Sequence, residues 1–329
     1  MTYSSGGLIQ ATDYNTFTTT AGGLNDIWAT GSGDKGWGQT AFTSAATGGT
    51  VTATQWAQLV NNLSSSGSQT NTTLTSRSAP TAGTTINILA NVSADITSVT
   101  TNRNNAAAVG TEYGVFSGTT SKTTATGSAQ GAWTITFTHT ITFPSAAQQR
   151  YFWNAGGRVR LQYGKSSTGT DVDPDWNTLA GWCGSIYITG AATSKTIAGT
   201  AYTGTTRIGG TGGTQTTLST ATGYYALTST PVEIFRLTNS TAPYTGEYIR
   251  TTAAAGSATD FTLSTTWVSD GSGGGAGTSS NISGGTGVAS PATSIGAATA
   301  PTTLCTYIPP STTYLTNSWG TPTIAAAVA

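Results

Sequence analysis

Trp133-Thr134-Ile135-Thr136-Phe137-Thr138-His139-Thr140-Ile141-Thr142-Phe143 alternates without a break. Trp133, Ile135, Phe137, His139, Ile141 and Phe143 fall on one side, and threonines take the other. Successive side chains of a β-strand point to opposite faces, so this stretch predicts a strand with one face in a core. Pro144 ends it, because proline cannot donate to a ladder. A turn or short helix is expected over 145–150. Further strands are predicted at Val159-Arg160-Leu161-Gln162-Tyr163 and Ser185-Ile186-Tyr187-Ile188, with a short helix near Trp176-Asn177-Thr178-Leu179 between them. Downstream, Tyr224-Tyr225-Ala226-Leu227, Val232-Glu233-Ile234-Phe235-Arg236-Leu237, Tyr248-Ile249-Arg250 and residues 261–268 read as further strands. Their spacing of about 12 residues suits a sandwich. Residues 269–287, rich in glycine and serine, are expected to form a loop, and the tail to be extended and pinned by its aromatics.

Composition supports the same class. More than a fifth of the chain is threonine, a β-branched residue that favours strands over helices. Aliphatic residues are few, but 9 Trp and 13 Tyr can each bury a large ring. Only 7% of residues are charged, and Lys+Arg 12 balances Asp+Glu 12. A neutral chain without a basic stripe argues against nucleic-acid binding. No run of apolar residues is long enough to span a membrane, and the first residues, Met1-Thr2-Tyr3-Ser4-Ser5-Gly6-Gly7, lack the features of a secretory signal. Cys183 and Cys305 read as two buried thiols, with a single long-range bridge as the alternative.

The N-terminal part carries a near-repeat. Gly6-Gly7-Leu8-Ile9-Gln10-Ala11-Thr12-Asp13-Tyr14 aligns with Gly48-Gly49-Thr50-Val51-Thr52-Ala53-Thr54-Gln55-Trp56. Each unit predicts an extended entry and a Thr-capped helix. Trp56, Leu59, Val60 and Leu63 give the second a clear apolar stripe. A weaker helical pattern runs from Ala94 to Arg103. The expected organisation is mainly β, in antiparallel sandwich-like domains, with a small α-helical N-terminal region. The predicted units are a helical docking region at 1–108, a β-rich domain at 109–190 and another at 191–329.

Chemistry-bearing residues are scarce. His139 is the one histidine, and it lies on the apolar side of its strand. Glu112, Glu233 and Glu247 are the only glutamates. Asp171, Asp173 and Asp175 alternate as hard-oxygen calcium ligands can in a loop, but the glycine and glutamate of a calcium-binding hand are missing. A solvated acidic loop before the Trp176 helix is the plainer reading. Arg158 and Arg160 share one strand face, placed to hold an anion or to pair with those aspartates. Gly31-Ser32-Gly33-Asp34-Lys35-Gly36-Trp37-Gly38-Gln39 is not a phosphate-binding loop and reads as a tight turn presenting Trp37. Two carboxylates from distant positions remain open as an acid–base pair, although no spacing supports one. Trp37, Trp267 and Trp319 are candidate platforms for stacking on sugar rings.

Several stretches resemble the virion structural proteins of tailed phages, notably cyanophages. They are Gly7-Leu8-Ile9-Gln10-Ala11-Thr12-Asp13-Tyr14-Asn15, the Gly31–Gln39 run, and Asp175-Trp176-Asn177-Thr178-Leu179, with residues 302–319. Tyr151-Phe152-Trp153-Asn154-Ala155-Gly156-Gly157-Arg158-Val159-Arg160 resembles an FFNAGG signature of the same proteins, with Trp153 where phenylalanine is usual. The resemblance implies a virion protein made in the host cytoplasm and carries over no catalytic residue. Together with the composition, it predicts a non-enzymatic, cofactor-free tail or neck appendage or fibre subunit. Its partners would be copies of itself and other virion proteins. The alternatives are a module that binds host-surface glycan and a capsid decoration protein.

Overall fold

The computed structural model describes residues 10–82, 91–117, 133–165, 172–242, 244–269 and 301–329, without the side chains of 115–117, 133 and 172–174. The Gly/Ser-rich stretch 269–287 lies outside these residues from position 270 onward, as do residues 6–9 of the near-repeat.

Four helices come first: α1 (Ala11–Thr18), α2 (Asn25–Trp28), α3 (Ala53–Gln69) and α4 (Val92–Thr101). The near-repeat is real at the level of helix register, since α1 and α3 start at its aligned alanines. Thr52 caps α3, accepting from Gln55 N at 3.2 Å, while Thr52 N donates to Gln55 Oε1 at 2.9 Å. The first unit differs from the expected threonine cap. Gln10 occupies the aligned place, its N–H donating to Asp13 at 3.2 Å. The paired aromatics of the repeat, Tyr14 and Trp56, pack edge to face at 5.4 Å.

The chain then runs through β1 (Asn105–Ala106), β2 (Tyr113–Ser117), β3 (Trp133–Thr142), α5 (Ala146–Asn154), β4 (Arg158–Gly164), α6 (Val172–Cys183) and β5 (Ser185–Ile188). Next come β6 (Lys195–Ile197), β7 (Thr200–Tyr202), β8 (Thr205–Ile208), β9 (Thr214–Leu218) and β10 (Val232–Thr238). The last strands are β11 (Tyr248–Ala255), β12 (Asp260–Ser269), β13 (Thr302–Ile308) and β14 (Thr323–Val328). Tyr224–Ala226 forms a 3₁₀ turn where a strand was expected. Tyr224 N and Tyr225 N donate to the carbonyls of Thr189 and Gly190, which holds the buried Tyr224 ring stacked on Trp153.

Two sheets form the body: a six-stranded sheet ordered β14-β3-β12-β11-β10-β9 and a five-stranded sheet ordered β2-β13-β4-β5-β8. Every pairing within them is antiparallel. The alternation over 133–143 is realised: Ile135, Phe137, His139, Ile141 and Phe143 are buried. Tyr163 of β4 stacks on Phe235 of β10 at 6.1 Å and shares a 2.9 Å hydrogen bond with Thr251 of β11, so the two inner faces meet. At one end α6 packs against both sheets, with Trp176 meeting Trp267 at 5.6 Å. Around the opposite end of β12, Phe143, Phe152, Trp153, Tyr224 and Phe261 form one aromatic cluster.

The expected boundary at 190 does not separate two sheets. β3 lies between β12 and β14, and β13 lies between β2 and β4, so each sheet draws strands from both sides of 190. A single apolar core also runs from Ala11 in α1 to Trp319 near the end of the chain, joining the N-terminal helices to the sandwich. Long-range pairing overrides the local cues that suggested separate units.

The glycine-rich turn at 31–38 fastens these parts together. Asn154 at the end of α5 donates to the carbonyls of Gly33, Lys35 and Gly36, and Arg150 donates to those of Thr30 and Lys35. Gln39 donates to Thr316 O at 2.9 Å and accepts from Thr316 N at 2.9 Å. Gly33 and Gly38 both adopt positive φ, of 56° and 68°. Open space surrounds a Cβ at Gly33, whereas one at Gly38 would overlap the Tyr151 ring. Gly33→Ala should therefore cost about 1 kcal/mol for the left-handed backbone alone. Gly38→Ala should cost about 2–4 kcal/mol, because overpacking adds to the same backbone penalty. Urea unfolding midpoints of the two variants measure the difference.

Candidate functional site

Most groups able to do chemistry are enclosed. Cys183 and Cys305 are free and buried, and burial pushes both thiols up, away from the reactive thiolate. His139 sits on the inner face between Leu263 and Ala326, fully buried, and burial lowers its pKa to about 4. Among the described residues, no three His, Cys, Asp or Glu side chains are grouped to hold a metal ion. No described helix is long and apolar enough to cross a membrane.

The acidic run is not the loop expected. Asp171 lies outside the described residues, whereas Asp173 and Asp175 belong to α6. Alternate positions of a helix do not share a face, so the convergence available in a loop is lost. Asp175 is buried and accepts a hydrogen bond from Asn239. It is also hydrogen-bonded to Glu247, which is fully buried and accepts from Ser269 Oγ at 3.3 Å. Burial lifts the Asp175 pKa to about 6, although these hydrogen bonds oppose the rise. Asp175 and Glu247 are thus two carboxyls from distant positions brought together, a juxtaposition that sequence spacing could not reveal. Both are buried among the described residues.

The sugar-stacking candidates are likewise corrected. Trp37 is 1% exposed, Trp267 0% and Trp319 1%. Trp37 packs edge to face on Trp28, and Trp267 lies tilted at 34° against Trp176, so both rings are enclosed by their neighbours. With few aliphatic residues to fill the core, these large rings are drawn inward. Arg158 and Arg160 do share a strand, but neither pairs with Asp175. Arg160 pairs with Glu112 at 2.5 Å, and Arg158 lies 4.9 Å from the centre of the Tyr202 ring. Lys195, unnoticed in the sequence, is buried and donates to Asn104 Oδ1 at 3.1 Å and to Asn154 O at 3.4 Å. Burial lowers its pKa to about 8.

What the surface does offer is a sheet edge. Just past the end of β14, Ala329 and Thr136 exchange backbone hydrogen bonds at 2.8 and 2.9 Å. Antiparallel pairs alternate, so Ala327, Ala325 and Thr323 also bond β3, while the N–H and C=O groups of Ile324, Ala326 and Val328 point outward. Ala325, Ala326 and Ala327 are exposed. The strand Thr-Ile-Ala-Ala-Ala-Val has no charge, proline or bulge to blunt the edge, and β2 runs close to it without pairing. β9, at the other edge of this sheet, is also uncharged. No family model, curated protein or solved structure matches the chain.

Two of the perturbed groups, His139 and Asp175, set opposite pH dependences on the acid side. An unfolded His titrates near 6.5, so between about pH 6.5 and about 4 the unfolded chain holds a proton that folded His139 refuses. Stability from His139 therefore falls as pH falls through that window, by about 3 kcal/mol in full. Asp175 has the reverse sign. From the usual aspartate value of 3.8 up to about 6 the folded state holds the extra proton, so its contribution is lost as pH rises. His139→Gln should leave a protein that gains stability on acidification from pH 6.5 to 4.5, relative to the parent. Asp175→Asn, which keeps the Asn239 hydrogen bond, should steepen the loss. Urea midpoints across that range check both signs.

Proposed function

We propose that this chain is a non-enzymatic structural protein of a tailed-phage particle, an appendage or fibre subunit that assembles with copies of itself. The observation that carries the assembly reading is the edge of β14, which pairs with no further strand among the described residues and has β2 close beside it. Its outward groups recur at Ile324, Ala326 and Val328, and this pattern is self-complementary. An antiparallel copy centred on Ala326 sets Ile324 opposite Val328 of the second copy, and Ala325 opposite Ala327 of that copy. All are small or aliphatic, and each bonded pair would exchange two backbone hydrogen bonds. The two six-stranded sheets would become continuous across a two-fold axis, the commonest closed symmetry of soluble oligomers.

Charge and surface chemistry support the same role. The outer face of the six-stranded sheet is lined with hydroxyls: Thr136 lies 3.4 Å from Thr266, and Thr140 lies 3.4 Å from Thr262. A neutral hydroxyl face has little electrostatic attraction to lose when salt rises. The resemblance of the Gly31–Gln39 and 151–160 stretches to phage virion proteins is what supports a place on a particle. Both stretches serve as fasteners in this fold, the work of a scaffold. The neutral charge balance fits partners that are proteins, without a nucleic-acid or membrane contact.

Paired substitutions test the edge. Ala325→Lys with Ala327→Lys places lysine opposite lysine in the dimer and should weaken association about tenfold relative to Ala325→Glu with Ala327→Lys, which restores opposite charges. Ala326→Pro removes only the outward N–H and should abolish association while the monomer's melting temperature changes little. Sedimentation across a concentration series measures all three. Equal association of the two charged variants would contradict this register, and full assembly of the proline variant would contradict use of this edge.

A further inference from the structure

We infer that a cavity where β2, β13 and the turn before β14 meet is a binding site for a neutral sugar ring. The cavity holds about 310 Å³ and is lined by Tyr113, Tyr307, Trp319, Asn317, Thr111 and Thr312, among others. None of its lining residues is charged. The nearest acid along the chain, Glu112, is engaged by Arg160. An ionic ligand would find no counter-charge here. The lining instead couples aromatic surface with hydroxyls and one amide, which matches a pyranose: an apolar C–H face for stacking, and hydroxyls that both donate and accept.

The aromatic part is built as a platform. Tyr113 is 51% exposed, and its ring stacks on Tyr307 with centroids 5.3 Å apart and planes 23° from parallel. Tyr307 is buried, so the exposed ring is backed by a fixed one and little side-chain freedom remains to be lost on binding. Val109, 47% exposed, bridges to Pro310 beside the same cavity. Only four large apolar or aromatic side chains are strongly exposed among the described residues, and two of them stand at this site. Exposed apolar groups gathered at one polar-lined cavity are a feature of recognition surfaces. The volume is at the lower end for ligand pockets, suited to one or two rings of a longer chain. This site uses none of the backbone groups of the β14 edge, so it stands apart from the assembly reading.

The test is a titration of the full chain with maltohexaose, cellohexaose and chitohexaose, read by calorimetry and by tryptophan fluorescence, since Trp319 lies in the cavity wall. At least one should bind with little dependence on salt. Tyr113→Ala should weaken that binding at least tenfold, Tyr113→Phe should keep it because the ring does the stacking, and Tyr225→Ala, at an exposed ring elsewhere, should leave it unchanged. Asn317→Ala should weaken it several-fold, and provides a second reading if Tyr113→Ala disturbs β2. Absence of binding by all three saccharides, or binding that both cavity variants leave intact, would overturn the proposal.

Discussion

Burial of tryptophan is the constraint on which the fold rests. Trp37, Trp56, Trp153, Trp176, Trp267 and Trp319 are each less than 2% exposed. Burying a ring of that size removes some 150–250 Å² from water, worth about 4–6 kcal/mol at roughly 25 cal/mol per Å². A chain poor in leucine, isoleucine and valine depends on such rings to offset the conformational entropy of ordering its strands. The rings also join the parts. Trp56 ties α3 to α1, Trp37 locks the glycine turn, Trp153 fills one end of the sandwich, and Trp176 with Trp267 fills the other.

The same constraint explains what could be read in advance and what could not. The strand at 133–142 was legible because alternation is a local property. The register of α1 and α3 was legible because the near-repeat preserves it. The topology was hidden: nothing local says that β13 inserts between β2 and β4, because those pairings join residues far apart in the chain. The acidic run misled for a related reason. Alternating aspartates look like a loop, but Trp176, Leu179, Ala180 and Cys183 form a buried helical stripe that carries Asp175 inward beside Asn239. Tryptophans chosen as ligand platforms turned out to be the core, because the sequence shows the size of a ring but not its burial.

Threonine does on the outside what tryptophan does within. It satisfies β-propensity, pairs across strands through hydroxyls, and leaves a face without charge. That division leaves few titratable groups at the surface and buries His139, Asp175 and Lys195, whose pKa values burial shifts. The uncharged edge of β14 is the surface feature on which the assembly proposal rests: its six residues contain no charge or proline to discourage pairing.

The most direct test of that account is residue-resolved amide hydrogen exchange of the native protein at low and high concentration. The account predicts that the amides of Ile324, Ala326 and Val328 become protected as concentration rises, while those of Ala325 and Ala327, already bonded to β3, stay the same. Fast exchange at the three outward positions at every concentration would contradict it.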